Sequence, residues 1–235
     1  MVRSTECLMK CVMLMLLAVP FVSGCTESMA LGKKDTKLDL TKKSTAIMSI
    51  KVSNAHVVDH QPFLDGMVVG KAMNDHTQFD IKSPYIKEKD KYNEYLISFD
   101  MPPGKYFVLN IRGESEFKIL PVPNQAVCFV PIYLPFELKP NEITYLGRIE
   151  ATIHKRQKDN EIRAGLVFPQ AIDQVMAGFS TGTFEVTVSD NYEADLQHFA
   201  QEYPVIKNYV VTKSLLPLGK QPNEGDYTSL LGRWK

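Results

Sequence analysis

Beyond residue 46 apolar and polar positions alternate with period two, the pattern of strands that bury one face. In Tyr95-Leu96-Ile97-Ser98-Phe99, one face carries Tyr95, Ile97 and Phe99. Met101-Pro102-Pro103-Gly104 follows, a sequence suited to reversing the chain, because proline sets φ and glycine accepts a positive φ. The next segment places Phe107, Leu109 and Ile111 on one face, with Tyr106, Asn110 and Arg112 opposite. Together these predict a β-hairpin. The clearest strand is Ile143 to His154: Ile143, Tyr145, Gly147, Ile149, Ala151 and Ile153 share one parity, and Thr144, Arg148, Glu150, Thr152 and His154 the other. Gly147 interrupts the inward face at a place suited to a bulge or a close backbone approach. Thr183 to Ser189 repeats the pattern with Phe184, Val186 and Val188 inward.

Ala126 to Leu138 departs from it. Apolar side chains occupy one parity while Pro131 and Pro135 occupy the other. Proline gives a ladder no donor, so this segment is expected at a sheet edge or broken by bulges. One helix stands out. Asp190 and Glu193 have the spacing of a capping box, Tyr192, Leu196, Phe199 and Tyr203 form a helical stripe, and Pro204 stops it. The fold class expected is mainly β: an antiparallel β-sandwich over 46–189, with the helix and C-terminal extension of 190–235 packed on it. About 190 residues suffice for one such domain with its own core.

The first 45 residues read differently. Arg3 and Lys10 precede and flank an apolar run from Cys11 to Val22, too short to span a bilayer, which takes ~20 apolar residues. Residues 1–24 are therefore expected to be a signal peptide. Thr26 to Thr45 is polar and carries five lysines, so 25–45 reads as a flexible tether whose ends would lie ~25 Å apart. The interleaved Glu27, Asp35 and Asp39 weaken any attraction of its lysines to anionic head groups.

Val22-Ser23-Gly24-Cys25, at the end of that apolar run, resembles the bacterial lipobox, in which small residues precede an invariant cysteine. The resemblance implies cleavage between Gly24 and Cys25, a diacylglycerol thioether on Cys25 and acylation, commonly with palmitate, of the new amino group. Two or three acyl chains make such an anchor effectively permanent, since each buried methylene contributes about 0.8 kcal/mol. In the Gram-negative members, Asp after the cysteine favours inner-membrane retention; Thr26 stands there, which implies the outer membrane.

Cysteine usage and charge narrow the picture further. Of four cysteines, Cys7 and Cys11 would leave with the leader and Cys25 would carry lipid, so Cys128 alone could not form an internal disulfide. The whole chain has 27 basic and 27 acidic residues, and removing Arg3, Lys10 and Glu6 leaves 25 against 26. A nucleic-acid binder would show a basic surplus, so no nucleic-acid partner is expected.

Phe99-Asp-Met-Pro-Pro-Gly-Lys-Tyr106 and Leu138-Lys-Pro-Asn-Glu-Ile-Thr-Tyr-Leu-Gly-Arg148 resemble segments of bacterial lipoproteins with a prealbumin-like or carboxypeptidase-regulatory-like β-sandwich. The likeness covers residues 95–155. Its motifs are turns and strand starts, so it implies a fold and assigns no catalytic residue.

Candidate chemistry is sparse. Gly178-Phe179-Ser180-Thr181-Gly182 matches the G-x-S-x-G nucleophile elbow, with Asp190 or Asp195 and then His198 in triad order. The elbow needs a strand before the serine and a helix after it, and here a strand is expected after it. His56 and His60 would make a metal pair only on a helix; on a strand they stand ~13 Å apart. Asp59, Asp75 and His76 could join them only through loop folding. Cys128 lies on an apolar face and reads as a small buried hydrophobe. Tyr85, Tyr92 and Tyr106 could form a sugar-stacking platform, and Trp234, between Arg233 and Lys235, could dock on a partner or fold back. The expectation is a lipid-anchored envelope protein, attached to the membrane through Cys25, with a non-catalytic binding or structural role and no cofactor or metal. Its expected partner is an envelope protein or glycan. The alternatives are a serine hydrolase using Ser180 and His198, or a glycan-binding module.

Overall fold

The computed structural model of the chain describes residues 30–72, 79–82, 94–119, 122–167 and 172–217. Residues 1–24, expected as a leader, and Cys25, Asp75, His76, Tyr85, Tyr92 and Trp234 lie outside these residues. The chain is mainly β. The strands are β1 (Ser44–Asn54), β2 (Phe63–Ala72), β3 (Phe79–Lys82), β4 (Tyr95–Met101), β5 (Gly104–Ile119), β6 (Val122–Leu138), β7 (Ile143–Lys155), β8 (Gly182–Ser189) and β9 (Val211–Lys213). A short helix α1 (Ile172–Met176) precedes β8. Helix α2 (Tyr192–Glu202) and a 3₁₀ turn (Pro204–Asn208) separate β8 from β9.

The strands form two sheets. One has the order β4-β1-β7-β8 with β9 also on β7; the other has the order β3-β2-β5-β6. The first sheet is mixed, since β1 and β9 run parallel to β7 while β4 and β8 pair antiparallel. The expected antiparallel pairing predominates, and the parallel β1–β7 and β7–β9 pairs are the departures from it. Ala46, Met48, Ile50, Ile97, Phe99, Ile149 and Ile153 of one sheet share a single apolar core with Met67, Val69, Val108, Ile111, Val130 and Phe136 of the other.

The expected hairpin is a corner instead. β4 pairs with β1 in one sheet, whereas β5 pairs with β2 and β6 in the other. Pro102 and Pro103 have no amide to donate, and across them the chain passes from one sheet to the other. The Tyr106 hydroxyl donates to Pro102 O at 2.7 Å and closes the corner. Its ring stacks on Phe136 with centroids 5.7 Å apart, while Phe99 meets Phe136 edge-on. Tyr106 and Val108 therefore face inward and Phe107 does not, the reverse of the expected parity. A register shift between Val108 and Asn110 then restores Ile111 to the core side.

A bulge likewise divides β7. Ile47 pairs with Tyr145 and Ser49 with Arg148, so two steps on β1 match three on β7, and Gly147 sits in the excess at φ 112°. Leu146, Ile149, Ala151 and Ile153 point into the core between the sheets. Ile143 and Tyr145 point the other way, into a second cluster with Leu31, Leu38, Ile47, Leu96, Phe199, Tyr203 and Ile206. The single inward face read from the alternation is thus split in two.

Helix α2 covers this second cluster, and the expected stripe is present: Phe199 and Tyr203 are buried, and Tyr192 and Leu196 are half-buried. The capping box is not formed. Asp190 Oδ1 accepts from Tyr192 N at 3.2 Å, and its other oxygen takes Lys213 Nζ at 2.7 Å. Residues 30–43, expected as flexible tether, run along the outer face of the first sheet. Ala30 N donates to Ser98 O and Leu31 N to Ser98 Oγ; Leu31 and Leu38 are buried. The folded part therefore includes residues 30–43, ahead of the expected start at 46. β6 lies at a sheet edge and carries a bulge near Tyr133, so both devices that tolerate Pro131 and Pro135 are used.

Candidate functional site

Among the described residues, the charged side chain most completely removed from solvent, Asp195, lies where helix α2 meets the first sheet. Asp195 falls on the same helical face as Tyr192 and Phe199, so packing that face carries a carboxylate into the interior. It is 0 % exposed. Its Oδ2 accepts from Ser49 Oγ at 2.5 Å and Tyr145 OH at 2.6 Å, and its Oδ1 accepts from Asn191 Nδ2 at 2.7 Å. Ser49 and Arg148 are register partners on β1 and β7, just beyond the Gly147 bulge. The bulge turns Arg148 toward the helix, where its guanidinium lies 3.7 Å from Asp195 Oδ1.

Arg148 also bonds Glu94, at the start of β4, and donates from Nε to Glu150 at 3.0 Å. Burial lowers its pKa, but the bonds to Glu94 and Glu150 outweigh that and the net direction is up. His198, one helical turn beyond Asp195, places Nδ1 3.4 Å from Glu94 Oε2. Burial, then the bond to Asp195, pushes the Tyr145 hydroxyl far above its ordinary value, so it stays a donor.

One donor atom each from Glu94, Asp195 and His198 lies within 4.8 Å of the others, close enough for one divalent cation. The Arg148 guanidinium already serves both carboxylates, however, and Asp195 takes three neutral donors besides. A metal ion would have to displace that set. As it stands, the cluster compensates a buried carboxylate and clamps α2 to β1 and β7. Beside it, Glu193, Leu196, Gln197, Ala200, Ile206 and Tyr209 line an open groove between α2 and the 3₁₀ turn.

The elbow motif is built the wrong way round for a nucleophile. Helix α1 precedes it and strand β8 follows it. Ser180 is buried, and Gly178 takes φ 74° against Val57 and His56. Gly182 pairs with Lys155 and Ser189 with Arg148, so Ser180 lies beyond one end of the pairing and Asp195 and His198 near the other. Seven residues of β7 separate those ends, ~23 Å. Ser180 and His198 are not brought together.

The remaining candidates are dispersed. His56 and His60 sit in the non-helical loop after β1, held by Asn54, and His56 Nε2 lies 2.9 Å from Thr181 Oγ1. Among the described residues they join no group of three metal donors. Cys128 is free and buried, and burial pushes its thiol pKa up. Tyr106, offered as an exposed stacking ring, is a core residue at 2 % exposure. On the other sheet Arg112 bridges Asp65 and Glu114; burial, then repulsion from Asp65, raises the Glu114 pKa.

Sequence reasoning named Asp195 and His198, as partners for Ser180, but missed Glu94 and Arg148 and the cluster they form. The available signal was Asp195 inside an apolar helical stripe, the position where a charge demands a partner.

No family model and no curated protein matches the sequence. Among solved structures, the chain is similar at 11% identity to a leucine-rich repeat protein from Bacteroides thetaiotaomicron VPI-5482, over 47% of this chain and 14% of that one, with a TM-score of 0.27. It is similar at 11% identity to a candidate cell adhesion protein from Parabacteroides distasonis ATCC 8503, over 63% of this chain and 39% of that one, with a TM-score of 0.24. The chain thus spans well under half the length of either. Among the described residues, no helix is long and apolar enough to cross a membrane.

Proposed function

We propose that the protein is a lipoprotein of the cell envelope, cleaved before Cys25 and anchored through acyl chains on that residue, whose β domain binds or supports an envelope partner without catalysis. The observation that carries this reading is the run Val22-Ser23-Gly24-Cys25 closing a short apolar segment. Thr26 favours the outer membrane within it. The domain is proposed to be a sandwich of the prealbumin-like or carboxypeptidase-regulatory-like kind. Two sheets sharing one core support that, with the parallel β1–β7 pair as a departure from a purely antiparallel type. A non-catalytic role is supported by the use made of the polar side chains: Asp195 and Arg148 are engaged with each other and with the sheet, and Ser180 is turned inward.

Metabolic acyl labelling of the full chain and of Cys25→Ser tests the anchor: label is expected in the first and lost in the second, and equal label in both would refute it. Cross-linking in intact cells tests the partner. A reproducible envelope protein or glycan adduct is expected; ester hydrolysis abolished by Ser180→Ala would overturn the non-catalytic role.

A further inference from the structure

We propose that residues 30–43 are a cationic strap that binds the anionic phospholipid head groups of the leaflet holding Cys25, so that the domain lies against the bilayer; this rests on lipidation at Cys25. A lysine-bearing segment acts very differently as loose coil and as folded surface, and here it is folded. Leu31 and Leu38 are buried on the sheet and helix layer. Tyr209 OH accepts from Leu38 N at 2.8 Å and donates back to Leu38 O at 3.2 Å. Lys33 Nζ meets Glu202 at 3.3 Å.

The packed inner side leaves Lys34, Lys37, Lys42 and Lys43 exposed on the outer one. The strap's two acidic residues sit in local turns among the lysines, and the pKa of Asp39 is held down by its bonds from Thr41 and then by the charges of Lys37 and Lys42. Asp35 Oδ2 accepts from Gly32 N at 2.7 Å, and Asp39 Oδ1 accepts from Thr41 N and Oγ1 at 3.1 and 2.6 Å. With five lysines against two aspartates, the strap carries a net charge of +3.

Chain length supplies the second argument. Four residues lie between Cys25 and Ala30, and the five steps from one to the other reach at most ~18 Å. The surface potential of an anionic leaflet decays within about a Debye length, ~8 Å at physiological salt. A domain on a long tether would seldom sample that layer, whereas a tether this short keeps Ala30 within about two Debye lengths of the anchor. Anchoring raises the effective concentration of the strap at the head groups, and single-chain weak charge contacts become sufficient.

The test uses the full lipidated chain in vesicles of phosphatidylcholine alone or mixed equally with phosphatidylglycerol. Flotation reports the anchor, and modification by a water-soluble amine reagent, read peptide by peptide, reports the strap. Lys34, Lys37, Lys42 and Lys43 are expected to react about fivefold more slowly on the anionic vesicles, with recovery at high salt. Lys158, exposed just beyond the far end of β7, should react equally on both. Flotation with equal lysine reactivity on both vesicles would overturn the inference while leaving the anchor intact. Protection that is the same on neutral vesicles, or present without vesicles, would also overturn it, pointing to a second copy of the chain. Failure to float with neutral vesicles would remove the anchor and this inference with it.

Discussion

Asp195 shows what one buried charge demands of its surroundings. Its carboxylate takes hydrogen bonds from Ser49 on β1, Tyr145 on β7 and Asn191 at the head of its own helix, and it faces Arg148 on β7. Removing the carboxylate leaves those donors buried without an acceptor, so Asp195→Ala should lower stability by about 3–5 kcal/mol. Asp195→Asn keeps an acceptor oxygen and should cost less; urea denaturation of both variants checks the order. Tyr145 adds a pH dependence. Its folded pKa is raised above the ordinary 10.0, first by burial and then by Asp195. A raised pKa means stability is fully present below 10.0 and declines as pH climbs above it, by about 1.4 kcal/mol per unit. Tyr145→Phe loses the hydrogen bond at neutral pH, at about 1.5–3 kcal/mol, but lacks this alkaline decline. The stability gap between the two proteins should therefore narrow above pH 10, and a constant gap would contradict the assignment.

At the scale of elements, bulges and corners decide which residues meet. Gly147 lies at φ 112°, and a Cβ there would stand 3.2 Å from both Ser189 O and Val188 Cγ1. It is the hinge of phase on β7: before it Ile143 and Tyr145 face the helix, after it Ile149 and Ile153 face the core. Gly147→Ala should cost about 1–3 kcal/mol through backbone strain and should disturb the Arg148–Asp195 contact next to it. Thermal melting gives the first effect. A Gly147→Ala variant as stable as the parent would remove the bulge from this role. The Pro102-Pro103 corner is the matching case between sheets, locked by Tyr106 and impossible to distinguish from a hairpin turn on local grounds.

For the whole molecule, the first sheet is buried on both faces. The second sheet covers one side; α2, the 3₁₀ turn and the strap cover the other. This explains why Ser44 to Ile50 is buried at every position. A chain begun at Ser44 would lose Leu31 and Leu38 from the cluster that holds Ile47 and Leu96. Burial of each leucine contributes about 1.5–3 kcal/mol, so that truncation should be less stable than a chain begun at Thr26 by up to ~6 kcal/mol. Chemical denaturation of the two chains checks it; equal midpoints would mean that the strap adds nothing to the fold.

Local physics was enough for much of this. The period-two runs at Tyr95–Phe99 and Thr183–Ser189, the proline-bearing edge segment and the Tyr192–Tyr203 stripe all follow from side-chain periodicity and from the missing amide of proline. Cys128 on an apolar parity was legible as buried for the same reason. The leader and Cys25 were read from sequence alone and remain proposals of that kind. Tertiary structure decided which strand pairs with which, because a turn such as Met101–Gly104 can return a chain to its own sheet or carry it across the core. It decided the fate of residues 30–43, whose polar composition conceals two leucines that find a distant surface. It also decided the candidate site. Asp195 and His198 share helix α2, but Glu94 and Arg148 reach them from the edge of β4 and from β7, and no spacing along the chain encodes a meeting that depends on one extra residue at a bulge.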